Sequence, residues 1–459
     1  MHRHFHLFQH RCVTRLYILS FIGIFVPGSG GKFKAYQPIT LYRKFKADGI
    51  FNGNRLIQED HVLVADTEGK IIEVINAADA GDNIEVYEGL LSPGFVNCHC
   101  HIELSHLKNL IPPHTGLVDF VQAVMSGREA PMGKKRIAMH SASEELHNSG
   151  TVAIGDICNG EDSIWLKNNS NLFWNNFIEV SGFVDVTAQK RMKDAEGIAE
   201  KFTVLPFPIS IVPHAPYSVS KKLFELLNEK SRTLLTIHNQ EATFENDLYK
   251  NKTGDFIRLY KNLGIDISGF IPTGKTSFKS WIPYFNKNQK IISVHNTYIS
   301  QEDIDMAQDV FFCICINANL YIENTLPPVG LLLKNNQNIV LGTDSYASNA
   351  TLNLVEEMKT IQKNFPSIEK EIILKWATSN GAEALNISHK YGSFDAGKIP
   401  GIVLIEKMEE GKFSDSTKAK RLLRTILIKR LVGVNVIQES ISCSTCKVFI
   451  LPKSWIWSA

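Results

Sequence analysis

This chain of 459 residues carries almost no excess charge: 49 Lys and Arg stand against 47 Asp and Glu, a formal net charge of +2. Such a balance gives no electrostatic ground for binding nucleic acid or lying on a membrane surface, and neither is expected as a partner. Cysteine is also scarce. The eight are scattered and form no disulfide framework, which favours a reduced, cytoplasmic setting. Beyond the first thirty positions no apolar run approaches the length needed to span a bilayer. With 44% apolar and 21% charged residues, wholesale disorder is excluded. The length suits one large barrel and a smaller satellite domain.

The first segment stands apart. Met1 to Arg15 is rich in His and Arg and precedes an apolar run, Leu16 to Val26, then Pro27-Gly28-Ser29-Gly30-Gly31. That order has the form of a signal peptide, and secretion follows if residues 1–30 are one. Non-native upstream sequence is the equal alternative, because four histidines in ten residues fit neither role well. Residues 1–41 are therefore set aside as an N-terminal extension.

From about Tyr42 short alternating strands follow: Lys46 to Phe51, His61 to Ala65 and Lys70 to Ile75. Turn chemistry at Asp48-Gly49 and Asn52-Gly53 separates them. Gly392 to Lys398 and Ile402 to Ile405 are of the same kind, so residues 42–90 and 390–412 are expected to build one small β domain. Gly392 to Lys398 mimics a phosphate-binding loop, but Ile399 replaces the required Ser or Thr and a hairpin is the better reading. Across residues 91–389, apolar strands alternate with helical stretches such as Ser220 to Lys230 and Leu352 to Asn364, the signature of a parallel α/β barrel. Residues 413–459 form a tail of undefined structure. The Cys443-Ser444-Thr445-Cys446 pair within it is weak ground for a zinc or redox site, having no second pair or histidine nearby.

Five short segments each follow a buried-strand pattern: Asn97-Cys98-His99-Cys100-His101, Pro213-His214-Ala215-Pro216, His238-Asn239-Gln240-Glu241, Val294-His295-Asn296 and Gly342-Thr343-Asp344. In a (β/α)8 barrel the C-terminal strand ends converge on one mouth, so these groups are expected to share a metal-dependent hydrolytic site. Side chains alternate along a strand, which turns His99 and His101 to one face and Cys98 and Cys100 to the other, into the core. An acid such as Asp344 at the mouth needs a partner, and a metal or its water is the natural one.

The order His99-x-His101, His214, His238-x-x-Glu241, His295, Asp344 resembles the amidohydrolase superfamily, in its branch of heterocycle deaminases and chlorohydrolases. Pro93-Gly94-Phe95-Val96-Asn97 and Asn319 to Asn324 support the likeness, which covers roughly residues 42 to 425. His101-Ile102-Glu103-Leu104-Ser105-His106-Leu107 is similar to a stretch of aminodeoxyfutalosine deaminases. The resemblance implies a (β/α)8 barrel with a flanking β domain, and one divalent metal, Zn2+ or alternatively Fe2+, held by His99, His101, His238 and Asp344. It implies catalytic roles for Glu241, His295 and Asp344: proton shuttle, hydrogen bond to the attacking hydroxide, and acceptor of the water proton. His214, Ser105, His106 and Asn319 would meet the substrate, a small heterocycle. The implied reaction is deamination of an amino-substituted purine or nucleoside-like ring. Hydrolysis of a ring amide, imide or halide is the alternative, and a non-catalytic barrel the remoter one. A homodimer is compatible with the likeness. One departure is that many members carry an arginine beside the Asn before the seventh-strand loop, where this chain reads Cys315-Ile316-Asn317-Ala318-Asn319.

Overall fold

The computed structural model describes residues 42–57, 60–230, 234–285 and 289–423. The signal-like segment and the Cys443–Cys446 pair lie outside them.

Eight short strands run parallel around a barrel. They are β1 (Phe95–Cys100), β2 (Thr151–Cys158), β3 (Phe173–Val180), β4 (Ile209–Pro213), β5 (Leu234–Asn239), β6 (Lys290–His295), β7 (Val310–Ile314) and β8 (Asn338–Leu341). Continuous ladders join β1 through β4 and β5 through β8. Two seams close the ring. At one, the His238 amide donates to the His214 carbonyl at 2.9 Å. At the other, Cys100 bridges Asp344, and the Thr343 and Asp344 amides both reach the His99 carbonyl.

The strands form because each is apolar on both faces. Every residue of β2 is buried, as a strand between a filled barrel interior and an outer helical layer must be. The helices supply the complementary stripe. Lys221–Lys230 buries Leu223, Phe224, Leu226 and Leu227 on one side and shows its lysines to water. Each such side chain stabilises the fold by about 1.5–3 kcal/mol relative to exposure. No helix among the described residues is long and apolar enough to cross a membrane.

Two smaller sheets flank these strands, and the second joins strands from both ends of the described chain. One runs Ile71–Asn76, His61–Asp66, Tyr42–Lys46, Ile84–Val86; the other runs Lys418–Arg421, Ile402–Glu406, Leu90–Pro93, Gly49–Phe51, Leu56–Ile57. The expected single strand from Lys46 to Phe51 is broken, because Asp48 turns its carboxylate to the Gly89 amide at 2.6 Å. Leu90–Pro93 pairs here rather than in the barrel, and Lys418–Arg421 carries the sheet beyond residue 412. Gly392 to Lys398 is a turn whose lysine is spent internally: its Nζ lies 2.8 Å from Asp395 and 2.7 Å from Ser393. A phosphate cradle is not what it builds.

Candidate metal centre and catalytic cleft

Four of the strand-end residues gather at one point of the mouth. The Nε2 atoms of His99 and His101 are 3.1 Å apart, and His101 Nε2 lies 3.3 Å from both His238 Nε2 and Asp344 Oδ1. His99 Nε2 is 3.7 Å from the same carboxylate oxygen. Ligands at about 2.0–2.1 Å on a tetrahedral zinc stand roughly 3.3 Å from one another, so the spacing fits one ion. Burial pushes the His99 imidazole well below its ordinary pKa and lowers His101 too, which keeps both neutral. For Asp344 burial acts upward, but the His99 hydrogen bond and the neighbouring imidazoles outweigh it and hold the carboxyl well below the usual range. Bare imidazole nitrogens and an ionised carboxylate facing one another across about 3 Å repel unless a cation lies between them; that is the donor set a divalent metal takes.

The surrounding chain holds these groups in conformations that a side chain does not favour. His295, Asp344 and Gln240 have left-handed φ values of 71°, 58° and 48°. Gly342 makes the tight approach at the seam possible, since a Cβ there would stand 2.8 Å from both His99 Cβ and Cys315 Sγ. Asn97 ties the seam, its amide donating to Thr343 Oγ1 at 2.7 Å and its carbonyl accepting the Thr343 N–H. Ser348 donates to the second oxygen of Asp344 at 2.5 Å, and His238 Nδ1 donates to the His214 carbonyl at 2.8 Å, fixing which nitrogen faces inward.

Glu241 and His295 face each other beside this cluster, Glu241 Oε1 lying 3.6 Å from His295 Nε2. Burial pushes the Glu241 carboxyl up to about 8, so it holds a proton at neutral pH, and burial lowers His295. His295 Nδ1 lies 2.7 Å from Asn319 Oδ1, and the Asn319 amide donates in turn to Thr297 Oγ1. Asn319 therefore backs His295, with both ends of its amide occupied. Ser105 and His106 are likewise engaged with protein: Ser105 donates to the Ile102 carbonyl at 2.7 Å, and His106 Nε2 meets the Gly127 carbonyl at 3.1 Å. Of the residues expected to meet substrate, His214 alone stands in the cluster, its Nδ1 on Ser218 Oγ at 2.7 Å.

Sequence reading missed Glu179. It is the penultimate residue of β3, as His214 follows β4, and its carboxylate groups with His214 and His238. One oxygen accepts from Asn159 at 2.8 Å; the other is buried, lacks a hydrogen-bond partner among the described residues and lies 3.8 Å from His238 Nδ1. Burial alone would raise this carboxyl, but His214, His238 and His101 outweigh it and bring it to about 2. Burial brings His214 down to about 4. An acid closing an apolar strand is the signal that could have found Glu179, the same one that marked Asp344. Arg128 bonds to Asn159 from behind at 3.0 Å, on the wall of a cavity of about 400 Å³ that Glu103, Asn159 and Gly160 also line.

The family model described as the amidohydrolase family matches residues 90–432, which spans the whole barrel and every residue of the cluster. The chain belongs to the amidohydrolase family. It is a hydrolase of carbon–nitrogen bonds, and its buried His/Asp cluster is a metal-binding site. Among its relatives, this amidohydrolase is 27% identical over 377 residues to a 5-methylthioadenosine/S-adenosylhomocysteine deaminase of Pyrococcus abyssi, covering 77% of this chain and 82% of that one. Its fold matches the Helicobacter pylori aminofutalosine deaminase in complex with methylthio-coformycin, at a TM-score of 0.68 and 21% identity over 81% of this chain and 93% of that one. It also matches an adenosine deaminase from Xanthomonas campestris with bound zinc, at a TM-score of 0.61 and 19% identity over 79% and 84% of the two chains.

Proposed function

We propose that this amidohydrolase deaminates an amino-substituted purine nucleoside or a closely related heterocycle, using one divalent metal, Zn2+ with Fe2+ as the alternative. The observation that carries the reading is a buried Glu241 carboxyl placed 3.6 Å from His295, beside four converging ligand atoms of His99, His101, His238 and Asp344. The deaminase names of the relatives support it.

When bound, the ion supplies a water activated for attack at neutral pH. Asp344 would take a proton from the attacking water, and His295, backed by Asn319, would accept its hydrogen bond and hold it against the ring carbon that bears the amino group. Glu241 gives its proton to the adjacent ring nitrogen, which draws electrons from that carbon. Emptied of that proton, the Glu241 carboxylate takes one from the hydroxyl now on the ring carbon and carries it to the amino nitrogen, so that the C–N bond breaks, ammonia leaves and the oxygen becomes the ring carbonyl; the proton taken by Asp344 then restores Glu241. His214 lines the pocket. Metal content should be measured beside ammonia release from a panel of aminopurine nucleosides, for the wild type and Glu241→Gln. One metal per chain in both proteins, with ammonia release lost in the variant, supports the reading. Metal without ammonia from any compound moves the assignment to another hydrolytic bond, and no metal removes it.

A further inference from the structure

The proposed mechanism leaves Glu179 unused, although it is the one carboxylate in the cluster that neither binds the ion nor faces His295. Its side chain is 7% exposed, and Oε2 has no hydrogen-bond partner among the described residues. A carboxyl oxygen buried without a donor is costly, typically about 1–3 kcal/mol, and a folded protein keeps one where a ligand completes it.

The surroundings narrow what that ligand group is. A second metal ion lacks ligands: His238 Nδ1 already donates to the His214 carbonyl, which leaves Glu179 Oε2 and His214 alone. A cationic donor would add to the positive charge of the Arg128 guanidinium, which bonds to the other end of the Asn159 amide and makes no ion pair among the described residues. A neutral donor remains. Asn159 already donates to Oε1 at 2.8 Å, so Oε2 is the oxygen left open to a hydroxyl.

From this accounting we infer that Glu179 is a specificity-determining residue that accepts a hydrogen bond from a sugar hydroxyl of the substrate, so that the pocket selects ribonucleosides over the free base. The inference rests on the deaminase reading, which places the heterocycle at the ion; it adds the sugar and the group that holds it. Asn159 and Arg128 are positioning residues that keep the second oxygen of Glu179 occupied and its carboxylate aimed at the mouth.

The test compares adenosine, its 2′-deoxy and 3′-deoxy forms and adenine with the wild type, Glu179→Gln and Glu179→Asp, each checked for metal content. In the wild type, removal of one of the two hydroxyls should lower kcat/KM by 30-fold or more, about the loss for an unpaired buried charged acceptor. In both variants that ratio should collapse to within about threefold, chiefly through loss on the ribonucleoside. An equal fall on all four compounds would overturn the inference, because Glu179 would then act through His238. An unchanged hydroxyl preference would overturn it as well. Calorimetric binding of inosine and hypoxanthine separates it from the deaminase reading. If the wild type releases no ammonia yet binds inosine more tightly in a Glu179-dependent way, the inference stands and that reading falls. If inosine and hypoxanthine bind alike in wild type and variants, the inference falls whatever the activity.

Discussion

Two of the polar clusters buried in this barrel are solved in opposite ways. Behind β2, Asp156 and Lys167 are both fully buried and 2.6 Å apart. Lys167 donates also to Asn176 at 2.9 Å and to Cys158 at 3.0 Å, while the second Asp156 oxygen accepts the Ile102 amide at 2.9 Å. Even the Asn176 amide has a partner in the Pro208 carbonyl. At the mouth, by contrast, His99 Nδ1, His101 Nδ1, His295 Nε2 and Glu179 Oε2 lack hydrogen-bond partners among the described residues, and the backbone of His295 and Asp344 is left-handed. Polar groups that satisfy one another hold a fold together; polar groups left open are held by the fold for something else.

The contrast makes unequal demands on function and stability. The largest effect is expected from Glu241→Gln, which removes the shuttled proton: kcat should fall by about 10²–10⁴ with metal retained, as measured by steady-state ammonia release. Next is Lys167→Met, which strands a buried Asp156 charge. Denaturant unfolding should show a loss of about 3–5 kcal/mol, and Asp156→Asn with Lys167→Met should recover most of it. If instead Lys167→Met abolishes turnover in fully folded protein, the division between the two clusters fails.

A smaller effect concerns pH. Glu241 has a folded pKa of about 8 against an ordinary 4.5, so the native state keeps a proton that the unfolded chain releases. Its contribution is complete below pH 4.5 and is lost as pH rises toward 8. In protein stripped of metal, Glu241→Gln should therefore stabilise by a few kcal/mol at pH 8 and by little at pH 4.5, read from urea midpoints. A variant equally stabilising at both pH values would show that burial is not the cause. Smallest is Ser105→Ala, which removes one internal hydrogen bond. Thermal unfolding should report a loss of about 1 kcal/mol, with kcat/KM unchanged; a raised KM would return Ser105 to the substrate.

The barrel and the convergence at its mouth were legible because buried parallel strands are continuous apolar runs, and a polar residue ending one has few other places to lie. That rule located His99, His238, His295 and Asp344 without any contact information. It applied equally to Glu179, where an acid after Asn176-Phe177-Ile178 reads in sequence as an ordinary step back toward water. Depth is what sequence does not carry. Ser105, His106 and Asn319 rested on likeness to other proteins, and likeness does not say whether a side chain lines a pocket or props up the residue that does. The Asp156–Lys167 pair was invisible for a related reason, since its members are brought together by a helix of five residues, Ile164–Asn168, too short to announce itself by periodicity.

The seam at Cys100 and Asp344 has a temporal consequence. The first strand of the barrel and the last are joined through a proposed metal ligand, across 244 positions of chain, the difference between residues 344 and 100. During synthesis His99 and His101 emerge long before Asp344, so the early ligands must wait as an open sheet edge while most of the barrel is made. The ion-binding site is therefore a late product of translation, and the ring and the catalyst are completed in the same event.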